Sequence, residues 1–345
     1  MDRTRTTNML LLVIVIPIIF YLLKVLSFIF IPLVFSMFIA LLFLPLMRFL
    51  GKKNVPKKVS IVIVILIIIA GLKIGGELIK LSSKQILATE SSFLTKAQTK
   101  INDLVYNVDS FFGVESIPDS NPKLSRFFKK EALFSNFGST FSVISKFLTS
   151  VLMTTFFVVL WLGESINIQK VLNKTLLKRK HTSVKTFRKI EKDLIKFIKV
   201  KFLVSLLTGI GTGLACYFFD VSFPIFWGLF AFLINFVQMV GSFISVILLS
   251  IFAFVELDPT STLLFFVLSI TGVQVLFGAI LEPIFMGKSF SINIITVLVM
   301  LMFWGYIWGI PGLIMAIPVT VFLKIIFEQF PSTKGIASLI SGSSN

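Results

Sequence analysis

Charged residues are scarce in this chain. Asp, Glu, Lys and Arg make up only 14% of its 345 residues, too few to clothe a water-soluble protein of this length. It holds one cysteine, Cys216, and one histidine, His181. A lone cysteine excludes an internal disulfide, and the two together cannot build a metal cluster. His181 lies among Lys178, Arg179, Lys180 and Lys185, where a solvated side chain is expected. Nucleotide chemistry also lacks its parts. Gly287-Lys288-Ser289 ends like a phosphate-binding loop, but Glu282 stands where the earlier glycine belongs, and no strand precedes it. The reading is therefore of a non-enzyme without cofactor or metal, whose energy, if it uses any, comes from a gradient or another subunit.

What is abundant is apolar. Hydrophobic residues reach 56%, with 40 Phe, and the mean hydropathy is +0.98. They cluster in long runs at 9–50, 59–75, 141–163, 202–219, 223–255, 261–281 and 294–327. A run of about 18 such residues crosses a hydrocarbon layer roughly 30 Å thick as a helix. Helix is required because the backbone finds no water there, and the runs lack a barrel's alternation. The expected fold is an all-α polytopic membrane protein with about eight transmembrane helices. Arg3 and Arg5 before the first run, with no small-residue cleavage site after it, indicate a retained signal-anchor.

The charges that remain set an orientation. Lys and Arg outnumber Asp and Glu by 33 to 16, but they gather in loops beside apolar runs, so the positive-inside rule accounts for them better than nucleic-acid binding does. Arg48–Lys58 carries five cations and no acid, and Glu164–Lys201 carries twelve cations against three acids. Residues 76–140, with eight basic and seven acidic residues, have the near-neutral balance of an exported segment. This gives helices 1–3 in 1–75, an exported helical insert at 76–140, a fourth helix at 141–163, a basic cytoplasmic connector at 164–201, further helices in 202–328 and a tail at 329–345. The N-terminus is expected in the cytoplasm of a bacterial cell, with the chain in the inner membrane.

Two segments have their own periodicity. Leu87, Leu94, Ile101 and Val108 recur every seven residues, and Ala97, Leu104 and Phe111 form a second row broken at Glu90. Such a seam packs on another helix of the chain or on another subunit of a homo-oligomer. In 184–201, Val184, Phe187, Ile190, Leu194 and Phe197 share one face, with lysines elsewhere. That helix either lies on anionic lipid headgroups or packs on the protein as a connector.

Polar groups inside apolar runs are the candidate site, because lipid makes them costly. Asn235, Gln238, Gln274, Glu282 and Asn293 fall there. Glu282, just before Pro283, is a proton-coupling candidate or an interfacial carboxylate paired with Lys288. The amides could bind a solute or join helices. Gly209, Gly211 and Gly213 permit close helix approach. Gly305, Gly309, Pro311 and Gly312 permit a bent backbone, tolerated at membrane depth beside protein or a water-filled cavity. Runs 223–255 and 290–328 exceed one span, so each is a tilted, broken or re-entrant helix, with Gly241-Ser242 marking the middle of the first.

Pro283-Ile284-Phe285-Met286-Gly287-Lys288-Ser289-Phe290-Ser291, with the later Gly305-Tyr306-Ile307-Trp308-Gly309-Ile310-Pro311-Gly312 and Pro318, resembles the C-terminal signature of the autoinducer-2 exporter family, the PerM-like permeases. Trp227-Gly228 through Phe236, with Gly241, resembles that family's sixth-span motif, and the order of elements matches along nearly the whole chain. The resemblance implies export of small polar molecules, or cation/proton antiport, with Asn235, Gln238, Gln274, Glu282 and the 305–312 segment along the path. The chain departs from the family pattern at Gln238, Gly241 and Ser242, at Phe277 and Ala279 (where the family has an acid and an Asn), and at Lys199-Val200-Lys201. A non-transporting scaffold acting through residues 87–111 and the basic loop is the competing reading.

Overall fold

The structure, a computed structural model, describes residues 3–112, 149–164, 182–237, 240–258, 260–287, 292–329 and 333–341. Gln238, His181, Lys288, residues 113–140 of the expected exported insert and residues 165–181 of the basic connector lie outside them, as do the side chains of the heptad rows. The described residues are helical, without a strand. Among the described residues, four helices are long and apolar enough to cross a membrane, and five shorter apolar helices accompany them.

In chain order, α1 is Arg3–Val25, α2 Ser27–Lys52, α3 Lys57–Phe112 and α4 Thr149–Glu164; α5 is Thr182–Phe218, α6 Pro224–Ile234 and α7 Val240–Glu256. Then α8, Thr260–Gln274, passes through a π-helical segment, Val275–Leu281, into α9, Glu282–Met286. The chain ends in α10, Ile294–Trp308, α11, Ile310–Gln329, and α12, Lys334–Ser341. Leu26 alone separates α1 from α2. At about 1.5 Å per residue, the 56 residues of α3 reach roughly 84 Å, far beyond a bilayer core. One helix therefore carries both the apolar run 59–75 and the heptad rows. Its C-terminal part meets α7, where Lys100 pairs with Asp258.

The hub is α5, which touches α2, α6, α8, α9 and α11. Residues 182–201 of the basic connector and the apolar run that begins at 202 are this one helix. Leu194 and Phe197 are buried in a cluster with Met286, Trp304 and Ile317, while Lys189, Lys192, Lys196 and Lys199 are exposed. This stretch of the amphipathic face is thus covered by protein. Small residues bring α6 onto α5. A Cβ on Gly209 would meet the Gly228 carbonyl oxygen at 2.7 Å, and one on Gly213 would lie 3.2 Å from the Pro224 oxygen. This is the close approach that a small-xxx-small spacing allows. Gly211 faces the other way, toward Val273 and Phe277.

Both over-long runs are broken. Run 223–255 turns at 235–237, five residues before the expected glycine, and a Cβ on Gly241 would sit 2.0 Å from the Ile234 carbonyl oxygen. Glu256, at the end of α7, accepts a hydrogen bond from the Ser222 backbone N–H at 2.7 Å. The run therefore starts and finishes at the same level, as a helical hairpin. Run 290–328 turns at Gly309, whose φ is +62°. The Asn293 N–H donates to the Ile340 carbonyl at 2.9 Å, so α10, α11 and α12 also return to their starting level. At the Gly309 turn, Trp308 Nε1 donates to the Leu23 carbonyl at 3.0 Å, and Phe20 packs edge-on against Phe303.

Candidate functional site

Lys201 lies on α5 seven residues after Leu194 and four after Phe197, so helical spacing turns it inward with them. Val204, Ser205, Thr208 and Thr212 continue that face, and all are buried. Opposite, α8 runs antiparallel to α5 and ends in the π-helical segment, whose altered winding is a frequent mark of functional sites. Glu282 follows directly. Its carboxylate meets the Lys201 ammonium, with Nζ donating to both oxygens at 2.9 and 3.0 Å. Only 3% of the lysine and 5% of the glutamate side chain is exposed. The partner of Glu282 among the described residues is thus a lysine 81 positions away; the Lys288 weighed from sequence lies outside them.

Beside this pair is a cavity of about 330 Å³, walled by α5, the α6–α7 turn, α7, α8 and the π-helical segment. Asn235, at the turn, donates from Nδ2 to Ser205 Oγ at 3.1 Å. Gln274 lines the cavity, and its buried Oε1 has no hydrogen-bond partner among the described residues. Ser242 and Thr271 add hydroxyls, and Phe243, Val246 and Val275 an apolar wall. Such a mixture suits a small polar solute: most of the lining is apolar, with a few fixed polar groups to orient it. A buried acceptor left unpaired costs about 1–3 kcal/mol, which a donor on a bound solute would recover.

Of the residues marked in the sequence, Asn235, Gln274 and Glu282 converge here. Asn293 lies elsewhere: its Oδ1 accepts from the Ile295 N–H at 3.0 Å and caps α10. Gly305 and Gly312 sit between α10 and α11, where a Cβ on Gly312 would come 1.9 Å from the Trp304 carbonyl oxygen and one on Gly305 2.8 Å from Leu313. With Gly309 at the turn, they make the α10–α11 packing and do not line the cavity. Lys201, Ser242 and Thr271 were missed, and only Lys201 carried a signal, its place on the Leu194–Phe197 face.

Residues 10–332 match the family described as AI-2E family transporter. The chain belongs to the AI-2E transporter family. Relatives of this AI-2E chain include the "AI-2 transport protein TqsA" of Escherichia coli, 22% identical over 90% of this chain and 89% of that one. A Haemophilus influenzae protein named "Putative transport protein" is 24% identical over the same shares. A Borreliella burgdorferi protein of the same name is 31% identical over 198 residues, 56% of this chain and 55% of its own length. The AI-2E chain is a multi-pass membrane protein of a family of transport proteins.

Proposed function

We propose that this chain is a gradient-driven permease in which small polar solutes occupy the cavity beside the Lys201–Glu282 pair. The Gln274 acceptor carries the reading, because it is buried without a partner among the described residues and a donor on a solute in the cavity would satisfy it. AI-2, named for the Escherichia coli relative, is the first solute to test. Gln274→Leu removes the acceptor and leaves the ion pair and Asn235 in place. Efflux of AI-2 from proteoliposomes should fall about tenfold in this variant, with folding unaltered, since a group without a protein partner loses no native contact. Wild-type rates in the variant would sink the solute path.

Cation/proton antiport is the second reading, favoured by the buried pair itself. A proton or a metal cation reaching Glu282 must take the place held by the Lys201 ammonium, so the two compete for one carboxylate. Sodium-driven pH changes in proteoliposomes, abolished in Glu282→Gln, would select this reading. A scaffold would move nothing in either assay. The lysine-rich connections favour a cytoplasmic N-terminus, and a homo-oligomer is the reading in which the heptad rows of α3 pack on another subunit.

A further inference from the structure

A second cavity, of about 580 Å³, lies between the end of α2 and the first part of α5. Four cations border it: Arg48 and Lys52 from α2, Arg188 and Lys192 from α5. Its single acid, Glu191, is already paired with Arg48. Lys52, Arg188 and Lys192 have no carboxylate partner among the described residues. Below these charges the wall is apolar, formed by Pro45, Phe49 and Ile195. Arg48 also ends the charge-free run that begins at Ser27, which sets the cavity at the depth where hydrocarbon gives way to headgroups.

We propose that this cavity binds the phosphate headgroup of an anionic glycerophospholipid. An anion is called for by the unneutralised cations, and guanidinium groups match phosphate oxygens two at a time. A lipid is favoured over free phosphate by the apolar wall, which includes exposed Phe49, 54% accessible and open to an acyl chain. Basic pockets between helices at this depth are suited to such headgroups. Because α2 and α5 both belong to the helical core, a lipid bridging them would brace the hub helix. This inference stands whether or not the first cavity carries a solute.

The test is native mass spectrometry and thermal unfolding of the full chain in nanodiscs, with phosphatidylcholine alone or with phosphatidylglycerol added. The wild type should retain phosphatidylglycerol and unfold at a higher temperature with it. Lys52→Gln/Arg188→Gln/Lys192→Gln should retain at least tenfold less and lose the shift. Lys192→Gln alone, a milder change, should lose about threefold if the triple variant does not fold. Lys58→Gln, at the same depth but outside the cavity, should bind like wild type. Equal loss in that control would reduce the effect to general surface charge and overturn the site. Equal stabilisation by inorganic phosphate would overturn the lipid.

Discussion

Lys201 and Glu282 each depend on the other, since both are almost wholly buried and each neutralises the other. Removing one partner leaves a charge without solvent or counter-ion, which costs about 3–5 kcal/mol, whereas replacing both with apolar groups of similar size is often neutral. Glu282→Gln should therefore destabilise the protein by about that amount, and Lys201→Met/Glu282→Leu by markedly less. Urea unfolding in detergent distinguishes them; a double variant as unstable as the single would show that the pair is not the cause. Transport should fail in both, which separates the role of the charges from that of stability. At this scale the sequence exposed the acid and not its partner. Glu282 stands out because it interrupts an apolar run. Lys201 is hidden in a lysine-rich stretch, where only its helical phase, counted from Leu194 and Phe197, distinguishes it from solvated neighbours.

Among elements, the α5–α6 contact rests on the absence of side chains. A Cβ on Gly209 would meet a backbone oxygen at 2.7 Å and the Phe232 Cβ at 2.8 Å, and neither can swing aside. Gly209→Ala should push the helices apart and cost about 1–3 kcal/mol, the usual penalty of overpacking. Gly272, on α8, has nothing within 4 Å of its would-be Cβ, so Gly272→Ala should be neutral or raise stability by up to about 1 kcal/mol through helix propensity. Opposite signs in one thermal-unfolding series are the expected result, and equal losses would remove the packing argument. Composition made the helices and the role of Gly209 and Gly213 legible. It misplaced the α6–α7 turn, because Gly241 suggested a break at itself. That glycine in fact lets α7 start against the carbonyl of Ile234, one residue before the turn begins. The glycines at 305–312 were equally visible, but a bend that serves packing and one that lines a path have the same composition.

For the whole molecule, the decisive quantity is the direction in which each run enters and leaves. Taken as one crossing, residues 223–255 would put Asp220 and Asp258 on opposite sides of the membrane. The Ser222–Glu256 hydrogen bond instead brings the two ends together, and the Lys100–Asp258 pair ties the far end to the C-terminal part of α3. The charge rule assigns Lys53 to the cytoplasm, and from there α3 leads outward. Asp258 should then face outward, with α6–α7 dipping into the membrane from that side and α10–α11 from the opposite one. Discontinuous helices at membrane depth are a device transporters use to place polar groups at a solute site, and Asn235 at the α6–α7 turn lines the cavity in that way. Cysteine labelling decides it. Cys216 is fully buried and stays silent, so an introduced thiol is read alone. In spheroplasts, a membrane-impermeant maleimide should label Asp258→Cys directly and Lys53→Cys only after lysis. If both require lysis, residues 223–255 cross the membrane once, and the hairpin arrangement falls. If Lys53→Cys is labelled in intact spheroplasts and Asp258→Cys is not, the hairpins stand and the orientation reverses.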